Sequence, residues 1–425
     1  MLHYPCEARE HYIFFTIPLL NEGSATFLHL REGTCALPNG LPRLSGKQMN
    51  ASQAKPSCET VGNNPVALWG LSMTERVRRL AASAGLTTQR AAPVILTNAA
   101  HAFDPAWFRH AIATPGLVLT LGGVPVLAHA RDEAEAVALR AAMADNRPLA
   151  EAGGLDIVAY ESGPTIENKA LRKRETPFLL PLTRETVRAA ERASYFGAYK
   201  GVTDILTKYL WPEWALVLTR IAAKIGMTPN QVTTIGAFLC VVATFAFADG
   251  RYWLGMALGL GFMVLDTVDG KLARCTITSS WWGNIFDHGL DLVHPPFWWW
   301  FWGTGLASWG LALSPADFTF AMVAIVGGYV VQRVIEGAFM RLYGGMHIHV
   351  WRRFDSQFRL ITARRNPNMV ILFAATLFAR PDIGLLAVAW WTVISCAVHA
   401  VRLAQAMIGS AQGRPVTSWL SDAAA

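Results

Sequence analysis

Four aspartates, Asp266, Asp269, Asp287 and Asp291, stand in two pairs within one of the most apolar regions of this 425-residue chain. The first pair is three residues apart and the second four apart, so each pair shares one face of a helix. Acids are costly in a membrane-like setting, and those retained there mark function. Four converging carboxylates would repel one another, and some would have to take up protons unless cations neutralised them. Carboxylate oxygens are hard ligands that suit magnesium or manganese. Two such ions about 3.5–4 Å apart form an arrangement used in phosphoryl transfer. Gly270, Ala273 and Gly283 leave room beside the acids, where a nucleotide or diphosphate could approach the backbone. For either glycine alone, close helix packing in a membrane is the plainer explanation.

Transmembrane helices are the elements that would position these acids. The chain is 52% hydrophobic and only 16% charged, against about 25% charged in an average protein. Between Gln231 and Leu265 the only charges are Asp249 and Arg251, in a turn that divides two apolar runs, 231–248 and 252–272. Further runs cover 281–307, 317–340, 368–379 and 383–401. Most approach the ~20 residues a bilayer core needs, and the fifth is short. Six spans put both ends on one side. Lys271, Arg274, Arg341, Arg352, Arg353, Arg359, Arg364, Arg365, Arg402 and Arg414 fall on one side, and only Arg251 and Arg380 on the other. The positive-inside rule then places the four acids and both termini in the cytoplasm, with the chain in the cytoplasmic (inner) membrane. The net charge of +7 flanks apolar spans, which favours a membrane surface over nucleic acid as the partner.

The N-terminal part has a different texture. Residues 1–61 mix Pro, Gly, Ser and charge, and suggest poor order or an extension of the next domain. No basic segment followed by an apolar run marks a cleaved signal peptide. Over 62–165, strands at VALWGL, PVILTNA, GLVLTL, VPVLAHA and GLDIVAY alternate with helices at MTERVRRLAASAGL, DPAWFRHAIA and DEAEAVALRAAMA. That alternation predicts a soluble α/β domain with a largely parallel sheet. Residues 166–230 are a charged linker followed by an amphipathic segment, with Trp211 and Trp214 beside Lys208, Arg220 and Lys224, as in a helix lying in the membrane interface. The expected architecture is thus an α-helical polytopic membrane domain over 231–408, with six transmembrane helices plus an interfacial helix, an N-terminal soluble α/β domain, and a tail at 409–425.

The central stretch fills D-x2-D-G-x2-A-R-x8-G-x3-D-x3-D at every defined position, with Asp266, Asp269, Gly270, Ala273, Arg274, Gly283, Asp287 and Asp291. It resembles the signature of the CDP-alcohol phosphotransferase family, and the likeness extends over about 200–405. This resemblance implies a magnesium- or manganese-dependent enzyme with two ions, commonly a homodimer, that releases CMP from a CDP-linked donor. It implies metal binding by Asp266, Asp269, Asp287 and Asp291, with Asp291 also the general base on the acceptor hydroxyl. Gly270, Ala273 and Gly283 would make space for the cytidine, and Arg274 would cap its helix or contact phosphate. The donor is CDP-diacylglycerol or a CDP-linked polar alcohol. The acceptor is a hydroxyl compound, with phosphorylated and lipid alcohols both open. A transporter or cation pathway would also use buried acids, but would not explain the small residues and Arg274 at these spacings.

The N-terminal part resembles a nucleotidyltransferase domain of the sugar-nucleotide type, in WGLSMTERVRRLAASAG followed by VILTNAAHAFDPAWF. In active members the first strand ends in a Gly-rich loop with a basic residue, and a metal-binding Asp follows the second strand. No such loop precedes Asn63, and Asn98-Ala99-Ala100-His101 stands where the Asp would be. The domain is therefore expected to be inactive, an unrelated α/β domain being the alternative.

A second candidate region is the loop at 341–367, with six arginines within 341–365. Retention by anionic lipid is one explanation. Phosphate binding by Arg359, Arg364 or Arg365 is the sharper one, since planar guanidinium groups suit that task. His347 and His349 lack a third ligand nearby in sequence. His288 and His294 suggest packing, and Trp298–Trp300 with Trp302 suggest a lipid-facing or dimer surface. The six cysteines have no metal or disulfide spacing.

Overall fold

The computed structural model describes residues 55–88, 92–149 and 153–421. The expectation of poor order at the N-terminus falls outside the described residues as far as Ala54. From Ser57 the chain is already in the sheet. The elements of this part are β1 (Ser57–Val61), α1 (Met73–Ser83), β2 (Val94–Asn98), β3 (His101–Phe103), α2 (Pro105–Ala113), β4 (Leu117–Leu121), β5 (Val124–Ala130), α3 (Glu133–Ala144), β6 (Asp156–Ala159), β7 (Ile166–Asn168), β8 (Lys173–Glu175) and β9 (Leu179–Pro181). The five-stranded sheet has the order β1-β2-β5-β4-β6.

The sheet is mixed, not largely parallel. β1 and β2 run parallel, as do β4 and β6, but β5 is antiparallel to both its neighbours. The cause is local. Gly122 and Gly123, at φ +57° and +79°, close a two-residue turn that folds β4 back on β5 as a hairpin. VALWGL is not a strand, and only an isolated bridge joins Leu68 to Leu71. The helices start where polar caps allow. Asp104 accepts from Ala106 N–H with Pro105 in the first turn, and Asp132 accepts from Glu135 N–H. Beyond residue 165, β7 and β8 form a hairpin, and β9 pairs with β3, so the chain has not yet left the α/β part.

The helical part follows: α4 (Val187–Gly197), α5 (Pro212–Lys224), α6 (Pro229–Ala248), α7 (Tyr252–Cys275), α8 (Trp281–Gly305), α9 (Pro315–Met322), α10 (Gly328–Leu342), α11 (Arg353–Phe358), α12 (Arg365–Leu377) and α13 (Pro381–Ala411). α5 is amphipathic, with Ala215, Leu216, Thr219 and Ala222 buried and Trp214, Val217 and Ile221 exposed. α6 begins with a capping box, Thr228 with Gln231, and Pro229 in the first turn. α9 and α10 are joined by a π turn into one apolar helix, Pro315–Leu342.

Helices stand at all six places where spans were expected. Four of them, α6, α7, Pro315–Leu342 and α13, are long and apolar enough to cross a membrane. α8 has 25 residues but carries Asp287, His288, Asp291 and His294, and α12 has only 13 residues. The tryptophans of α8 correct one expectation. Trp298, Trp299 and Trp302 are buried, and the Trp298 and Trp302 indoles donate to Cys240 O and Pro381 O. Only Trp300 of this group is exposed. One continuous hydrophobic core runs from Val77 and Trp107 of the α/β part through Trp211 to Phe262, Trp298 and Leu385 of the helices.

Candidate active site

α7 ends and α8 begins at facing positions, joined by residues 276–280. Ser280 caps α8 by accepting from Gly283 N–H. The pairs on the two helices therefore meet, and one carboxylate oxygen each from Asp266, Asp269 and Asp287 lies within 4.8 Å of the others. Asp291 joins through a residue from a third helix. Arg365, in the first turn of α12, donates through Nη2 to Asp266 Oδ2 at 2.7 Å and through Nη1 to Asp291 Oδ1 at 2.6 Å. Asp269 is almost fully buried and accepts at 2.5 Å from the hydroxyl of Thr233 on α6.

The small residues lie where space is short. A Cβ on Gly283 would stand 2.8 Å from Asn230 Oδ1, and one on Gly270 would stand 3.0 Å from Arg274 Nη2. Asn230 also lines a groove of about 460 Å³ with Met227, Gln231, Thr234 and Ile235. Arg274 folds back over Gly270, and its Nε is buried without a partner. Ala273 is half-buried on the adjoining turn.

The donor set fits a divalent cation. It is made of oxygen alone, three acids are within reach of one ion, and Arg365 is the one guanidinium or ammonium group ion-paired to any of the four acids among the described residues, His288 standing 3.6 Å from Asp287. The second His/acid group is different. Glu336, His349 and His399 come within ligand distance, although they are far apart in sequence. Glu336 is already paired with Arg364 and with Arg333, the latter at 3.3 Å, and His349 Nε2 lies 3.3 Å from both Glu336 and Arg364. A dication would meet two guanidinium groups there and only one carboxylate, so this cluster suits an anion better. Burial pushes the His347 imidazole down to about 3 and holds His349 well below its ordinary value. Both rings are neutral near pH 7.

His294 is buried, as a packing role requires, with Nδ1 near Leu290 O, whereas the His288 side chain is exposed, with Nδ1 near Asn284 O and 3.6 Å from Asp287. Lys200 was not foreseen. Burial, with Arg172 and Arg274 nearby, pushes its ammonium down to about 8, while Asp287 and Asp291 pull the other way. Thr233 and Asn230 were also missed. The signal available was the polar run Thr-Pro-Asn-Gln-Val-Thr-Thr at the mouth of an otherwise apolar helix.

The sequence model for "CDP-alcohol phosphatidyltransferase" matches residues 226–347. An archaetidylinositol phosphate synthase of Pyrococcus horikoshii is 30% identical over 187 residues, which cover 42% of this chain and 87% of that protein. The chain belongs to the CDP-alcohol phosphatidyltransferase family. It is an integral membrane transferase of phospholipid biosynthesis. Human cholinephosphotransferase 1 is 33% identical over 128 residues, 28% of this chain and 30% of that protein. A crystal structure of Mycobacterium tuberculosis phosphatidylinositol phosphate synthase aligns over 44% of this chain and 94% of its own, with 18% identity and a TM-score of 0.33.

Proposed function

We propose that this chain transfers a substituted phosphoryl group from a CDP-linked alcohol to a hydroxyl acceptor and releases CMP. The observation that carries the reading is the convergence of Asp266, Asp269, Asp287 and Asp291, the last tied to Asp266 through Arg365. Asp266, Asp269 and Asp287, with Asp291 sharing the second ion, would hold two magnesium or manganese ions, which neutralise charge on the donor diphosphate and the leaving CMP. The other steps belong to the protein. Asp291 Oδ1 accepts from Arg365, so the carboxylate is oriented while Oδ2 has no donor among the described residues. Oδ2 takes the proton of the acceptor hydroxyl. The acceptor oxygen forms a bond to the β-phosphorus, the bond from that phosphorus to CMP breaks, and the proton ends on Asp291. Gly270, Ala273 and Gly283 leave the cytidine room, Asn230 stands at its edge, and Arg274 contacts phosphate.

The acceptor is an anionic alcohol in this reading. Lys200 brings positive charge to Asp287 and Asp291, and Arg359 keeps Nε and Nη1 buried without partners among the described residues. The likeness to an archaetidylinositol phosphate synthase supports a phosphorylated polyol and a CDP-linked lipid donor. All six helices span the membrane and α5 lies in its interface. The site and both termini face the cytoplasm by the positive-inside rule, and the working unit is a homodimer. The α/β domain performs no nucleotidyl transfer, because Asn98 and His101 stand near where an acid would be needed. The test is CMP release by the purified chain with magnesium, over a panel of CDP-donors and phosphorylated or free alcohols, with mass spectrometry of the product. No CMP from any pair would overturn the reading.

A further inference from the structure

The carboxyl end of α7 is held from outside the membrane domain. The last carbonyls of a helix lack partners within it, and that end carries partial negative charge. Here two arginines of α1, on the α/β domain, supply the partners. Arg76 donates through Nη1 to Cys275 O at 2.7 Å, and Arg79 through Nη1 to Thr276 O at 2.8 Å. Arg76 is 1% exposed, and its guanidinium ion-pairs with no carboxylate among the described residues, Asp104 acting on it only at longer range. Arg79 is aligned by Glu75, one turn earlier, at 2.7 Å.

The next residue is under constraint. Ile277 lies at φ +53°, a conformation uncommon for a β-branched side chain, and Thr278 N–H reaches back to Ala273 O at 2.8 Å. A third tie lies one turn up. Lys271, 3% exposed, donates to Ala198 O at 2.9 Å, with its ammonium 3.3 Å from the centroid of the Tyr199 ring. These contacts bracket the short connection between the helices that bear the acids. The matched family region begins at residue 226, so the residues that hold it come from outside that region.

We infer that Arg76 and Arg79 are positioning residues of the transferase site: the α/β domain clamps the α7–α8 connection and so sets the spacing of Asp266 and Asp269 against Asp287 and Asp291. The inference rests on the site assignment above. It gives the domain a task that needs no nucleotide chemistry. Loss of the clamp leaves every acid in place but loosens the angle between the two helices. Mn2+ then binds more weakly and turnover falls, while the KM of the CDP-donor changes less than kcat.

The test uses the full-length chain in lipid nanodiscs. Arg76→Met, Arg79→Met and the exposed Arg109→Met of α2 are compared by electron paramagnetic resonance titration of Mn2+, by metal dependence of CMP release, and by thermal unfolding followed through tryptophan fluorescence. Couplings carried through packed networks predict a drop of about 2- to 30-fold in Mn2+ affinity for Arg76→Met and Arg79→Met. Arg109→Met should match the wild type. Arg79→Lys, which can still reach Thr276 O, should recover part of the loss. A purely structural role would lower the unfolding temperature but leave Mn2+ affinity, measured well below it, unchanged. If Arg76→Met does not fold, Arg79→Met decides alone. Wild-type Mn2+ affinity in folded Arg79→Met overturns the clamp while sparing the site. A wild-type chain that neither binds Mn2+ nor releases CMP overturns both.

Discussion

Thr233→Val isolates one atom of support behind the acids. The Thr233 hydroxyl has a single proton and two acceptors in reach, Asp269 Oδ2 at 2.5 Å and Pro229 O at 3.1 Å. The shorter contact to the carboxylate takes it. Valine keeps the shape, so no cavity adds to the effect. Asp269 is 3% exposed, and the lost donor cannot be replaced by bulk water. A hydrogen bond to a charged group contributes about 1.5–3 kcal/mol, which corresponds to roughly 10- to 150-fold. Removing a group that orients a metal ligand costs about 10- to 100-fold in metal affinity by independent experience. The two estimates agree, and the expected loss in Mn2+ affinity is about 10- to 100-fold. It is read by spin-resonance titration and by the magnesium concentration that half-saturates CMP release. Thr244→Val, on the same helix and bonded only to Cys240 O, is the control. Mn2+ affinity within about twofold of wild type, in a Thr233→Val protein that unfolds normally, would refute the reasoning.

Three further outcomes follow from the same geometry. Asp291→Asn keeps the acceptor for Arg365 but removes the base, so kcat should fall by about 10²- to 10⁴-fold in CMP-release kinetics. Full turnover would exclude Asp291 as base. Arg365→Ala leaves Asp266 and Asp291 without their shared cation. Asp291 is nearly half exposed, which puts the loss near the low end for a broken buried pair, about 3 kcal/mol, and added Mn2+ should restore the unfolding temperature. Lys200 provides a pH signature. Its ammonium is pushed down to about 8, so it is charged at pH 7 and mostly neutral at pH 9. The KM for a phosphorylated acceptor should therefore climb as pH rises through 8, and Lys200→Arg, which stays charged, should abolish the climb. A wild-type KM flat from pH 7 to 9 would remove Lys200 from acceptor binding.

The site was legible because its chemistry is concentrated in one stretch. Asp266 to Asp291 needs only helical spacing and one short connection to converge, and both are written in consecutive residues. The partners that complete it come from far away. Arg365 is 99 residues from Asp266, and Thr233 is 36 from Asp269. Periodicity says which face a residue takes on its own helix, not which neighbour it meets. Glu336 shows the same limit. It lies near the end of a span, and only the fold brings it to His349 and Arg364. The tryptophans of α8 were misjudged for a related reason. A run of large rings suits either lipid or a core, and buried carbonyls at Cys240 and Pro381 decided for the core.

The α/β domain makes the opposite case. Its three helices followed their caps closely, but its first strand lies at Ser57–Val61 instead of VALWGL, and its sheet came out mixed because one glycine turn reversed β4 against β5. Its task was harder still to read, because no motif in its own sequence points to it. What the domain contributes lies on a different face, where Arg76 and Arg79 meet the end of α7. In sequence these are two arginines of an ordinary amphipathic helix, with a salt-bridge partner at Glu75. A buried guanidinium is retained at a cost in desolvation, and among the described residues Arg76 has one hydrogen-bonded carbonyl and only the longer-range attraction of Asp104 to offset it. Met at that position would remove the desolvation cost but strip Cys275 O of its donor. Arg76→Met therefore separates stability from positioning: a purely structural role lowers the unfolding temperature and leaves Mn2+ affinity unchanged, whereas positioning requires the Mn2+ affinity of the distant acids to fall.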